Sequence, residues 1–153
     1  MRISVPSDFS QVQCKDRLTA RCYWEVEWKG DVLIGVSYKR MKWSRNERFK
    51  TIYPSFLEQY SDFKPDTPSW TLRCCENGYF VRNQMKWEQI PLSASSMSDR
   101  VAVYVDHPAG IISFYQVSHG ELLLLYTFQD TFTELLYPSF GLGFNSSVSL
   151  CKM

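Results

Sequence analysis

From Arg21 to Tyr38 apolar and polar side chains alternate. Cys22, Trp24, Val26 and Trp28 share one face, and Tyr23, Glu25 and Glu27 share the other, which is the period of a half-buried strand. Lys29-Gly30-Asp31 supplies turn chemistry. Val32, Ile34, Val36 and Tyr38 then resume the alternation, with Leu33, Gly35 and Ser37 opposite, so the two segments predict a β-hairpin. A second block starts at Trp70, runs through Thr71-Leu72-Arg73-Cys74-Cys75, turns at Glu76-Asn77-Gly78 and continues as Tyr79-Phe80-Val81-Arg82. The Asn-Gly pair is a strong hairpin signal because both residues tolerate positive φ.

Beyond a Ser-rich loop from Ser93 to Ser98, Val101-Ala102-Val103-Tyr104-Val105 is apolar on both faces, the pattern of a central strand with cover on either side. Asp106-His107-Pro108-Ala109-Gly110 forms a tight turn and Ile111 to Val117 returns as a strand. Glu121 to Phe128, Ser139 to Phe144 and Val148 to Cys151 read as further strands. Short strands, frequent turn signals and no 3.6-residue period predict an all-β fold, a β-sandwich.

The stretch from Lys39 to Ser69 breaks the pattern. A strandless segment of that length inside a compact domain is usually functional or holds a short helix, for which Ser55 to Phe63 is the place. Its first part carries Lys39, Arg40, Lys42, Arg45, Arg48 and Lys50 against Glu47 alone, a local charge of +5. The whole chain is only +1, so the remainder is net negative by four. Phe49, Ile52, Tyr53, Phe56, Leu57, Tyr60 and Phe63 are too many apolar groups for a solvated loop. They pack on the sandwich or meet a partner.

At 153 residues, 44% of them apolar, the chain holds one domain with a sizeable core. The near-neutral balance argues against nucleic acid as a partner. Even the four leucines Leu122 to Leu125 fall far short of the roughly 20 residues of a spanning helix, and Met1 to Ser10 has no apolar signal region. The expectation is a soluble, cytoplasmic domain that does not itself enter a membrane. Cys14, Cys22, Cys74, Cys75 and Cys151 cannot all pair within one chain and make no paired C-x-x-C motifs. Reduced thiols are expected, with no metal and no cofactor.

Catalytic constellations are weak. His107 and His119 sit in turns away from any nucleophile elbow. Glu25 and Glu27 share one strand face rather than opposing each other across a cleft, and a solvated face is the favoured reading. Gly141-Leu142-Gly143 has no helix after it to cradle a phosphate. Trp24, Trp28 and Trp70 lie on apolar strand faces as core, and core packing is also favoured for Trp87. Trp43, among Lys42, Ser44 and Arg45, is as well placed to be an exposed interface anchor. Asn145-Ser146-Ser147 is an N-glycosylation acceptor motif.

The run Arg21-Cys22-Tyr23-Trp24-Glu25-Val26-Glu27-Trp28, with Ile34-Gly35-Val36-Ser37-Tyr38, resembles the opening of a SPRY domain. Ser69-Trp70-Thr71-Leu72 resembles the second family block. Arg100-Val101-Ala102-Val103-Tyr104-Val105-Asp106, leading through Ala109-Gly110 into Ile112-Ser113-Phe114-Tyr115, resembles the third, and Leu136-Tyr137-Pro138-Ser139-Phe140 the last. Four blocks in order over residues 9–151 make the likeness specific. The nearest flavour is the PRY-SPRY module of tripartite-motif ubiquitin ligases, fish NLR immune receptors and stonustoxin-like venom subunits. Phe9 to Thr19 resembles the end of a PRY segment whose earlier strands have no counterpart, which would expose a sheet edge.

The resemblance implies a single SPRY domain over 1–153, a bent, concanavalin-like antiparallel sandwich whose loops grip a target protein without catalysis. Carried over by position, the antibody-binding pattern of the tripartite-motif relatives falls on Lys39, Arg73, Cys75 and Phe144. Residue types differ, since that pattern has an acid at the first position and tryptophans at the middle two, so the same target is not implied. With the basic, aromatic loop added, the candidate contacts are Lys39, Arg40, Trp43, Arg45, Arg73, Cys75 and Phe144. The implied setting is target recognition in innate immunity or a ubiquitin ligase. Two other readings stand beside it, the end domain of a secreted pore-forming toxin and a lectin-like glycan binder.

Overall fold

The structure, a computed structural model, describes residues 2–4, 21–38, 69–83, 86–92, 97–143 and 145–152. The strands are β1 (Arg2–Ser4), β2 (Arg21–Lys29), β3 (Val32–Ser37), β4 (Ser69–Cys75), β5 (Gly78–Asn83), β6 (Lys86–Gln89), β7 (Arg100–Asp106), β8 (Ile111–Ser118), β9 (Glu121–Gln129), β10 (Tyr137–Leu142) and β11 (Ser147–Lys152). No helix occurs among the described residues, and the helix expected between Ser55 and Phe63 lies outside them.

Two antiparallel sheets face each other. One has six strands in the order β1-β11-β2-β7-β8-β9, the other five in the order β10-β3-β4-β5-β6. The expected all-β sandwich is therefore what the chain forms. Trp24, Val26, Val101, Val103, Val105, Ile112 and Phe114 from the larger sheet meet Ile34, Val36, Leu72, Cys74, Tyr79, Val81, Phe140 and Leu142 from the smaller in one core. Register accounts for the grouping: Trp24 stands opposite Val103, and Val103 opposite Phe114, so the three project to the same side. Trp28 packs on the edge of this core, its ring 6.4 Å from that of Tyr79.

The hairpin expected between β2 and β3 does not form. β2 pairs with β11 and β7, whereas β3 pairs with β10 and β4. Gly30-Asp31 carries the chain from one sheet to the other. Alternation marks a strand but not its partner, and here both edges of each strand are taken by strands of its own sheet. The hairpins β4–β5 and β7–β8 form as expected. Gly110 closes the second at φ 75, and a Cβ there would fall 2.1 Å from the Asp130 carbonyl oxygen.

Two strands carry no signal of their own in the sequence. β1 pairs with β11 through Arg2↔Ser149, Ile3↔Val148 and Ser4↔Ser147, and β6 pairs with β5 with half-buried Trp87 opposite Arg82. β9 contains a register shift opposite Phe114 and Tyr115, a bulge that turns Leu125 inward at 8% exposure.

Candidate recognition site

At one end of the sandwich three separate pieces of chain are tied together by Asp31. Its backbone N–H donates to Ser146 Oγ at 2.8 Å, and its carbonyl accepts the Gly143 N–H at 2.8 Å. Its carboxylate receives both arms of Arg73, Nε at 2.8 Å and Nη2 at 2.5 Å. This bidentate geometry is the strong form of the arginine–carboxylate pair. The Arg73 side chain is only 16% exposed, and the Asp31 bond raises its pKa further, against the opposing effect of burial. The guanidinium carbon also lies 5.5 Å from the centroid of the Phe80 ring.

Glycine is required where these pieces meet. Gly30 has φ 86, and a Cβ on it would stand 2.4 Å from Ser146 Oγ. Asn145 adopts φ 57, a left-handed turn that asparagine tolerates better than most residues. The turn is thus held from both sides, by Gly143 and Ser146.

Of the seven candidate contacts, the structure describes two, Arg73 and Cys75. Lys39, Arg40, Trp43, Arg45 and Phe144 lie outside the described residues. Arg73 is half-buried and serves the junction. Cys75 is 4% exposed, and its Sγ–H points to the Gly78 carbonyl at 3.7 Å, so in this conformation its side chain offers a partner no surface. The packing that tightens the β4–β5 turn is the reason. The chain passes toward Lys39 from Tyr38, which lies at the other end of the smaller sheet. There the Tyr38 ring sits 5.2 Å from Trp70, and its hydroxyl accepts the Thr133 N–H at 3.0 Å. Arg73, Cys75, Gly143 and Asn145 therefore share one end, whereas Tyr38, the last described residue before Lys39, lies at the opposite end.

Glu25 does not lie on the solvated surface that alternation suggests for it and Glu27, although Glu27 is nearly half exposed. Glu25 is 6% exposed. Arg100 bridges both carboxylates at 3.1 Å, and the Tyr23 hydroxyl donates to Glu25 at 2.5 Å. Burial, then the Glu25 bond, pushes the Tyr23 phenol up to about 12. This is a structural ion cluster on the outer face of β2 and β7, with no opposed acid and base.

The other chemical candidates have structural partners. His107 Nε2 is 2.9 Å from the Glu134 carbonyl oxygen, and its ring lies 5.5 Å from Phe132. Burial raises the Cys74 thiol well above the usual range, which keeps it protonated and unreactive. Cys22, Cys74, Cys75 and Cys151 are free thiols, and no cluster of three or more metal-ligating side chains occurs among the described residues. The two residues that organise the junction, Asp31 and Ser146, read in the sequence only as a turn residue and part of a glycosylation motif. No local pattern announces a contact between residues so far apart in the chain.

Comparison with protein families matches residues 21–153 to the SPRY domain. The beta subunit of neoverrucotoxin from Synanceia verrucosa is 36% identical over 138 residues, covering 90% of this chain and 18% of that protein. The alpha subunit of stonustoxin from Synanceia horrida is 33% identical over 135 residues, again covering 18% of the relative. The chain therefore spans less than a fifth of the toxin subunits it matches. The E3 SUMO-protein ligase TRIM60 of Mus musculus is 29% identical over 134 residues, 87% of this chain and 24% of the ligase. Among solved structures, stonustoxin superposes with a TM-score of 0.64 at 27% identity, over 91% of this chain and 21% of that one. The TRIM65 PSpry domain superposes with a TM-score of 0.66 at 23% identity, over 92% and 70%.

Proposed function

Because the chain belongs to the SPRY domain family, whose members are generally non-catalytic interaction modules, we propose that it recognises a target protein through the loops at the Asp31–Arg73–Ser146 end of the sandwich. It does so as the recognition part of a longer cytoplasmic protein of the ubiquitin-ligase or NLR type. The observation that carries this reading is the junction itself. Three segments distant in sequence are locked by a bidentate ion pair and two backbone bonds, which holds Gly143 and Ser146 in place on either side of the Asn145 turn. Rigid support for a turn bearing an aromatic residue is what an interface anchor needs. Phe144 is the contact, and Arg73 positions rather than touches.

The test separates these roles. Wild-type protein, a Phe144→Ala variant and an Arg73→Ala variant serve as baits against lysate of the source tissue. Proteins retained by the wild type are expected to drop by about tenfold or more with Phe144→Ala, its thermal midpoint being measured alongside. Equal retention by wild type and Phe144→Ala sinks the assignment.

A second reading is favoured by the toxin relatives at 33–36% identity: the end domain of a secreted pore-forming subunit. Asn145 is exposed in an N-x-S motif, accessible to glycosylation in a secretory route. Mass spectrometry of the Asn145 peptide from protein isolated from its source separates the two. A glycan there supports the toxin setting, and a bare asparagine supports the cytoplasmic one.

A further inference from the structure

Six residues of the smaller sheet are shielded although they point away from the core. Along β3, Ile34 and Val36 enter the core while Leu33, Gly35 and Ser37 face outward. Thr71 of β4 and Ser139 of β10 stand opposite Gly35, and Gly141 stands opposite Leu33. Leu33 is 2% exposed, Ser37 and Thr71 are 3% and Ser139 is 6%, and both glycines are buried. Ser139 is the sharpest case. It lies on the edge strand β10, with Gly35 across the ladder and Gly141 and Tyr137 along the strand. Glycines have no side chain to lean over a serine, and the one ring of Tyr137 does not close the whole row from Ser37 to Gly141. No strand among the described residues lies over this face, since the larger sheet sits across the core.

We infer that this face is the seat of the chain's own segment 39–68, which docks across β10, β3 and β4. The segment leaves after Tyr38 and returns at Ser69, and Ser37 and Ser69 are direct ladder partners on β3 and β4. Both of its ends are therefore fixed beside the shielded residues. Its length suffices: five strands at about 4.8 Å spacing make a face about 19 Å wide, and a path across and back takes roughly a dozen extended residues. The other stretches outside the described residues do not fit the seat. Residues 5–20 run between β1 and β2, both of the larger sheet, and 84–85 and 93–96 are too short to cross three strands. Chemistry agrees with the seating. Phe49, Ile52, Tyr53, Phe56, Leu57 and Tyr60 supply apolar groups that gain by leaving water, and a floor of Gly, Ser and Thr leaves room above it for large side chains. Phe80 and Trp87, half-buried on the same face of β5 and β6, border it. Docking takes these aromatic groups of the segment out of a target's reach, and it stands or falls separately from recognition at the Asp31 junction.

Limited trypsin digestion of the full chain, read by mass spectrometry, tests this, because Lys39, Arg40, Lys42, Arg45, Arg48 and Lys50 are cleavage sites within the segment. Cutting of a transiently opened segment tracks its open population, so the wild-type sites are expected to be cut about tenfold or more slowly than those of a free synthetic 39–68 peptide. Ser139→Arg sets a long charged side chain under the seat and is expected to speed cutting by about tenfold, and Ser139→Gln by less. Thermal midpoints are measured alongside, and if the arginine variant does not fold, the glutamine variant decides. Leu135→Arg, 37% exposed on the connection before β10 and outside the seat, is expected to keep the wild-type rate. A wild-type segment cut as fast as the free peptide overturns the inference, and so does protection that survives both Ser139 substitutions.

Discussion

Replacing Trp24 with alanine is expected to cost about 3–5 kcal/mol of stability, enough to leave a domain of ordinary stability largely unfolded under mild denaturant. The indole is 1% exposed at the centre of β2. β2 lies between β11 and β7, and Val103 stands directly opposite Trp24, so the neighbouring backbone is held by ladder bonds and cannot collapse into the space. The indole N–H is buried without a hydrogen-bond partner among the described residues, so the loss consists of packing and cavity, with no polar bond broken. Urea unfolding followed by tryptophan fluorescence and circular dichroism measures it. A fall in midpoint at unchanged slope is expected. A loss below about 1 kcal/mol would mean that the site relaxes and that Trp24 is not the keystone its burial indicates.

Arg100→Ala is expected to produce the second largest loss, about 1–3 kcal/mol, because it removes the cation from a carboxylate that stays buried. Glu25 keeps the Tyr23 hydroxyl, but a neutral donor does not replace the ion pair. Arg100 is itself a third exposed and Glu27 nearly half exposed, so solvent screens that side of the cluster and holds the loss to this range. The double variant Arg100→Ala/Glu25→Gln is expected to recover part of it, which a purely steric effect of Arg100 would not allow.

The same cluster sets an alkaline limit. The folded Tyr23 pKa of about 12 lies above the unfolded value of 10.0. The folded state therefore favours the neutral phenol, and its contribution is fully present below pH 10 and is lost as pH rises toward about 12. Burial pushes Tyr79 in the same direction. Thermal melts across this range are expected to show stability falling with pH, with a shallower fall in Tyr23→Phe. An unchanged slope in that variant would assign the alkaline limb elsewhere.

The Arg73 pair gives one of the candidate contact residues a structural task as well. By resemblance alone Arg73 falls among the candidate contacts. Its own geometry commits the guanidinium to Asp31, so Arg73→Ala is expected to loosen the junction that Asp31 makes with Gly143 and Ser146. Cys75 sits two residues further along the same strand, and its thiol is turned inward by the β4–β5 turn. Glu25 teaches the same lesson from the other direction. Alternation assigns it correctly to the face opposite Trp24, but a face away from the core is not always a wet one, and Arg100 from β7 makes burial tolerable.

Local side-chain order determined the strands other than β1 and β6, the two tight hairpins and the apolar faces, because these depend on periods of two and on turn residues within a few positions of one another. It also determined the all-β class and, through four blocks in order, the family. Partnership was decided only in three dimensions. β2 and β3 are neighbours in sequence and lie in different sheets, since Val26 gains Val101 and Leu150 as strand partners while Ile34 gains Leu72 and Phe140. The Asp31–Arg73–Ser146 junction, the buried Glu25 and the shielded Ser139 likewise depend on residues far apart in the chain, and long-range contacts of this kind leave no period for a sequence to display.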